Sequence, residues 1–183
     1  MPIKNYSVKS QQKGVSLIEV LVSLIIVSFV MLAIALYSMT GLSENQSAYF
    51  RSQANLLAYD IADRIRGNSD YALEDDDNYS IITSVSGDIP DAPNCISTSG
   101  GCTEAELAAQ DLREWAENFV DVAGQGSDGG TYQALLPDAV GSVVVNGNAV
   151  TVTVAWQELD WDLTGGANRG EGTAQLQIEF MIF

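Results

Sequence analysis

One acid stands out among the residues able to do chemistry. Glu19 lies in the stretch Lys13-Gly14-Val15-Ser16-Leu17-Ile18-Glu19-Val20-Leu21-Val22, and no ionised residue follows it until Glu44. A carboxylate beside a membrane-spanning apolar run is costly, and such residues are usually retained for a specific partner or task. Glu19 is therefore an anion in want of a counter-charge, and the apolar run supplies none. The chain has no histidine, which excludes Ser-His and Cys-His nucleophilic catalysis and histidine-based zinc sites. No catalytic residue, metal or cofactor is expected.

Two cysteines, Cys95 and Cys102, flank a short stretch rich in Ser, Thr and Gly. Such a pair suits a disulfide-stapled loop in an oxidising compartment, and two free thiols in a cytosolic protein are the alternative. The acidic run Glu74 to Asp77 lacks the ligand spacing of an EF-hand loop and reads as solvated surface. Gly124-Gln125-Gly126-Ser127-Asp128-Gly129 matches G-x-G-x-x-G literally, but it follows a helical pattern where a strand is required, and no helix comes after it. It is expected to be a loop.

Charge is distributed unevenly along the 183 residues. The formal net charge is −16, yet Lys4, Lys9 and Lys13 all precede Gly14 in a segment without acids. The remainder carries 5 basic and 24 acidic residues, a net charge of −19. So acidic a surface repels phosphate backbones and anionic lipid heads, and nucleic acid is not an expected partner.

Val20 to Leu42 contains no charge and is dominated by Leu, Ile, Val, Met, Phe and Ala. At ~1.5 Å per residue the run reaches roughly 34 Å, enough to cross a hydrocarbon core. Lysines before it and Glu44 after it place the N-terminus in the cytoplasm and everything after about residue 43 on the exported side. Ala33-Ile34-Ala35 offers an A-x-A cleavage site if the segment is a removable secretory signal. Cleavage before the apolar run, keeping it, is the other reading. The pattern downstream favours retention. Residues 43–66 lack Gly and Pro, and Ala54, Leu57, Ala58, Ile61, Ala62 and Ile65 recur at helical spacing. Arg51, Asp60, Asp63, Arg64 and Arg66 fall mostly on the opposite face, and Gly67-Asn68 is a C-terminal stop. One helix is predicted over about 15–66, interrupted only by Gly41.

Residues 68–103 read as a long, solvent-facing connection with one strand candidate near Ser80 to Val85. Thr103 caps a second helix with acids in its first turn. Its mainly apolar stripe comprises Leu107, Ala108, Asp111, Leu112, Trp115 and Phe119, with the two aromatics assigned to the core. Val143 to Val145, a turn at Asn146-Gly147, alternation from Val150 to Trp156 and alternation again from Thr173 to Phe183 predict at least three antiparallel strands. The long helix can cover their apolar face, giving an α+β head on a long N-terminal helix.

The stretch from Lys13 to Val22 resembles the class III signal of type IV pilins and type II secretion pseudopilins. The resemblance implies that a membrane prepilin peptidase cuts after Gly14 and methylates the new amino terminus on Val15, leaving Glu19 at the fifth mature position, where the family keeps a glutamate. The first mature residue is Val rather than the commoner Phe, a change that leaves the Gly14-to-Glu19 spacing intact. On this reading residues 1–14 are a cytoplasmic leader, 15–67 a long helix that is transmembrane over about 20–42, and 68–183 a periplasmic head. Leu56 to Asn68, Asp111-Leu112-Arg113-Glu114-Trp115, Leu136-Pro137 and Val152 to Trp156 are similar to minor pilins of the PilV type, in the same order.

Such proteins help prime the pilus at or near its tip, alongside other minor pilins and the major pilin. An inner-membrane platform protein and motors drive assembly and retraction, supporting twitching motility and attachment. The expected partner of Glu19 is the methylated amino terminus of a neighbouring subunit. A minor pseudopilin of a type II secretion system is the alternative, and a signal-peptide-bearing periplasmic enzyme or binding protein is a third, from another class.

Overall fold

Two different solvents are written into a single helix. In the computed structural model, which describes residues 14–84, 88–93, 100–122, 133–160 and 170–183, helix α1 runs unbroken over Leu17–Gly67. The chain divides into two units, Met1–Leu42 and Ser43–Phe183. In the first unit the helical residues are exposed almost throughout, and an 18-residue window within α1 reaches a mean hydropathy of 2.9 with none of it buried. Its serine and threonine hydroxyls turn inward. Ser23 Oγ donates to the Val20 carbonyl, Ser28 Oγ to Leu24, Ser38 Oγ to Ile34 and Thr40 Oγ1 to Leu36, at 2.7–3.3 Å. Bonding back to the preceding turn leaves these groups no demand on the surroundings, as a hydrocarbon environment requires.

In the second unit α1 buries Ala54, Leu57, Ala58, Ile61, Ala62 and Ile65, the stripe its spacing predicts. Arg64 and Arg66 stand in its last turn, where cations complement the helix dipole. A short helix, α2 (Ser69–Glu74), follows, then β1 (Ile81–Ile82), α3 (Glu104–Ala116), β2 (Val140–Asn146), β3 (Ala149–Asp160) and β4 (Gly170–Met181). The strands form one antiparallel sheet in the order β1-β2-β3-β4. Val143, Val145, Val150, Val152, Val154 and Trp156 are the fully buried side of β2 and β3, and they join the α1 and α3 stripes in one core. At roughly 1.5–3 kcal/mol for each large apolar side chain removed from water, this shared core is the main stabilising term of the head.

Local signals account for most element boundaries. Thr103 and Glu106 close a reciprocal capping box at the start of α3. Asn146 pairs with Ala149, so the β2–β3 loop is Gly147-Asn148, one residue later than the Asn-Gly signal places it. Gly147 takes φ +55, the positive φ that a type II′ hairpin turn needs at its first central position. Asn148 then fastens the far end of the sheet. Its carbonyl accepts from Ile182 N and its side-chain amide donates to the Ile182 carbonyl, both at 2.9 Å.

The connection after α1 is more ordered than its composition implies. Asn68 makes no side-chain cap bond to α2; its amide nitrogen donates to Tyr79 Oη and to the Glu104 carbonyl. Helix α2 is held by burial of Ala72 rather than by a periodic stripe, so no period announces it. The strand near 80–85 shortens to Ile81–Ile82, after which Thr83 continues pairing to Gly141 through its backbone N–H and its hydroxyl. Asp76 Oδ1 accepts from Gly147 N at 2.8 Å, which ties the acidic run to the hairpin turn. Leu107 sits at the exposed rim of α3 rather than in its buried stripe. The Gly124–Gly129 motif lies outside the described residues.

Trp115 and Phe119 meet edge to face, with ring centroids 4.8 Å apart, over Gly141. A β-carbon at position 141 would lie 2.6 Å from Trp115 Cη2 and 2.8 Å from Phe119 Cζ. Gly141→Ala should therefore destabilise the head by about 1–3 kcal/mol through overpacking, read as a lower urea midpoint with an unchanged slope.

Candidate functional site

The N-terminal segment is the candidate site for processing and assembly. Gly14, Val15 and Ser16 precede α1, and all three are exposed. The Ser16 carbonyl accepts from Glu19 N at 3.0 Å and from Val20 N at 3.3 Å, so the helix opens immediately after the Gly14–Val15 bond. An exposed, non-helical peptide ahead of a helix is accessible to a peptidase. Glu19 occupies the first turn, where a negative charge is favoured by the helix dipole. Its side chain is exposed, and among the described residues it meets no cation. The dipole offsets only part of a desolvation cost, so in an apolar medium this carboxylate still requires a cation that the described residues do not supply.

The second sequence-predicted site is only partly described. Cys102 is exposed, adjoins the α3 cap and is not free, whereas Cys95 lies outside the described residues.

A third cluster was not foreseen. Helical spacing puts Arg64 on the solvent face of α1, yet it is half-buried and bridges three acids. Its Nη1 donates to Asp111 Oδ1 at 3.1 Å and Glu114 Oε2 at 2.7 Å, and its Nε donates to Asp60 Oδ2 at 3.2 Å. Asp111 is buried in the α3 stripe and also accepts from Tyr79 Oη, which in turn accepts from Asn68 Nδ2. Burial, with the Asp111 charge beside it, pushes the Tyr79 phenol up and keeps it a neutral donor. The Gln110 amide and then Arg64 hold the Glu114 carboxyl below the usual carboxylate range. The signal available in the sequence was Asp111 itself, a charge inside an apolar stripe that needs a partner. The cluster is a latch between the end of α1 and α3, and its polar atoms are satisfied: among the described residues no buried side-chain nitrogen or oxygen lacks a hydrogen bond.

Residues 9–35 match the family model described as the prokaryotic N-terminal methylation motif. No curated protein and no solved structure matches the chain. The motif spans Gly14, Val15 and Glu19, and together with the α+β layout of a long apolar helix and a four-stranded antiparallel sheet it supports a type IV pilin-like protein, either a pilin or a pseudopilin. The motif implies processing by prepilin peptidase and assembly with pilins in the membrane. Motif and apolar helix fit a single-pass, membrane-anchored protein of a class that is structural and usually without enzymatic activity.

Arg64→Ala strands the buried Asp111 carboxylate and should cost about 3 kcal/mol, the low end for a broken buried pair because Arg64 keeps some solvent contact. Adding Asp111→Asn should recover part of this loss, since the amide needs no cation and still accepts from Tyr79; denaturant curves of the two variants check the coupling. Because Glu114 has a depressed folded-state pKa, its stabilisation is present above its ordinary value near 4.5 and is lost as pH falls through the depressed one. Glu114→Gln should therefore flatten the acid limb of a stability–pH profile.

Proposed function

We propose that this chain is a minor pilin of the PilV type, which helps prime and build a type IV pilus at or near its tip and so supports twitching motility and attachment. The observation that carries the reading is a carboxylate that meets no cation among the described residues, five residues beyond a potential cleavage point and inside a matched methylation motif. Cleavage after Gly14 frees the Val15 amino group, and methylation keeps it cationic. That group on a neighbouring subunit is the counter-charge for Glu19. At ~4 Å and an effective dielectric of ~20 the pair gains about 4 kcal/mol, which offsets part of the desolvation cost and sets the axial register of neighbouring helices.

The residues around Asp60 to Asn68 favour a pilus over a type II secretion machine. The partners are prepilin peptidase, the other minor pilins, the major pilin and the inner-membrane platform protein. Three lysines before the apolar run and a net charge of −18 after it support a cytoplasmic leader over 1–14 and a periplasmic head over 68–183. In that compartment Cys95 and Cys102 are proposed to pair.

Mass spectrometry of the mature protein should find a methylated Val15 at the N-terminus, and thiol-alkylating reagent should add mass only after reduction. A mature start near Leu36 sinks the pilin reading. Glu19→Ala should leave the protein in the membrane but deplete it from sheared pili, whereas undiminished recovery removes the proposed ion pair. Deleting the gene should abolish surface pili and twitching. Loss of protein secretion with normal pili would assign the chain to the secretion machine.

A further inference from the structure

The head contains a cleft of about 270 Å³ that neither the N-terminal segment nor the Arg64 latch uses. Gln46, Ser47 and Phe50 of α1 line one side, and Pro137, Gln157 and Glu158 line the other. Glu158 is held rather than free to swing. Its Oε1 accepts from Ser47 Oγ at 3.0 Å and from Trp156 Nε1 at 3.1 Å, and Trp156 is anchored in the core. Gln157 N donates to the Pro137 carbonyl at 3.0 Å, which fixes that wall.

Two neutral donors thus orient one carboxylate oxygen, and among the described residues the second oxygen has no donor and no Lys or Arg pairs with it. An oriented carboxylate, side-chain amide oxygens and an aromatic ring around a space of side-chain size form a receptor for an organic cation. An anion would meet Glu158 in a chain of net charge −16, and a purely apolar group would desolvate the carboxylate without pairing it.

We propose that this cleft receives an arginine or lysine side chain presented by a partner protein, with Glu158 pairing the cationic head and Phe50 covering the aliphatic stem. The assignment goes beyond N-terminal processing and applies equally to a pilin or a pseudopilin.

The test uses the full chain in detergent micelles with ¹⁵N-labelled tryptophan, the Trp156 indole signal being identified by its loss in Trp156→Phe. N-acetyl-arginine amide should shift that signal saturably, and the neutral N-acetyl-glutamine amide should not. Glu158→Gln should abolish the response while the other indole signals stay in place. If that variant misfolds, Phe50→Leu takes its role and should weaken binding about fivefold. Free arginine, whose α-carboxylate meets the acidic surface, should bind more weakly than the capped probe. Equal binding would reassign the cleft to a free amino acid. No saturable shift, an equal shift with the neutral probe, or a response unchanged by Glu158→Gln and Phe50→Leu would overturn the proposal.

Discussion

Burial of one face of α1 is the constraint on which the head depends, because three layers share it. Ala54, Ala58 and Ala62, four residues apart and wholly buried, let neighbouring elements approach the helix backbone closely. That proximity lets Trp115 of α3 donate to the Leu57 carbonyl at 2.9 Å, a bond that a larger side chain between the helices would block. Leu57, Ile61 and Ile65 supply the apolar bulk that meets the sheet in the common core. Two helices and a sheet are thereby fixed relative to one stripe, and Gly141 is the concession that β2 makes to the aromatic pair on α3.

The polar latch gives that arrangement specificity. Apolar contacts alone tolerate a helix sliding by a turn. Arg64 can meet Asp111 and Glu114 together only in one register, and Tyr79 and Asn68 satisfy the remaining valences from the connection after α1. We regard fixing of register as the reason to keep charges where hydrophobic residues would serve stability as well. Arg66 adds a second tie by lying over the Phe180 ring of β4, 4.4 Å from its centroid.

Much of this was legible in the residues because it rests on period and cap. The α1 stripe, the Thr103 capping box and the alternation in β3 and β4 are local patterns with one reading, and the Gly14-to-Glu19 spacing carries the motif. What escaped has a common cause. Helix α2 is too short to show a period and depends on the tertiary burial of Ala72. Arg64 looks like a surface residue until α3 arrives fifty residues later with its acids, and the Ser47–Glu158 contact joins residues 111 positions apart. Partnerships between distant polar groups leave no periodic trace, even where each half is visible, as Asp111 was.

The inward-turned hydroxyls of α1 carry a consequence of their own. Ser23, Ser28, Ser38 and Thr40 each spend their donor on their own helix. The segment therefore presents the same unreactive exterior whether its neighbours are acyl chains or other helices. Trading one environment for the other breaks none of these four hydrogen bonds, so the exchange is registered by Glu19 and by the exposed phenol of Tyr37.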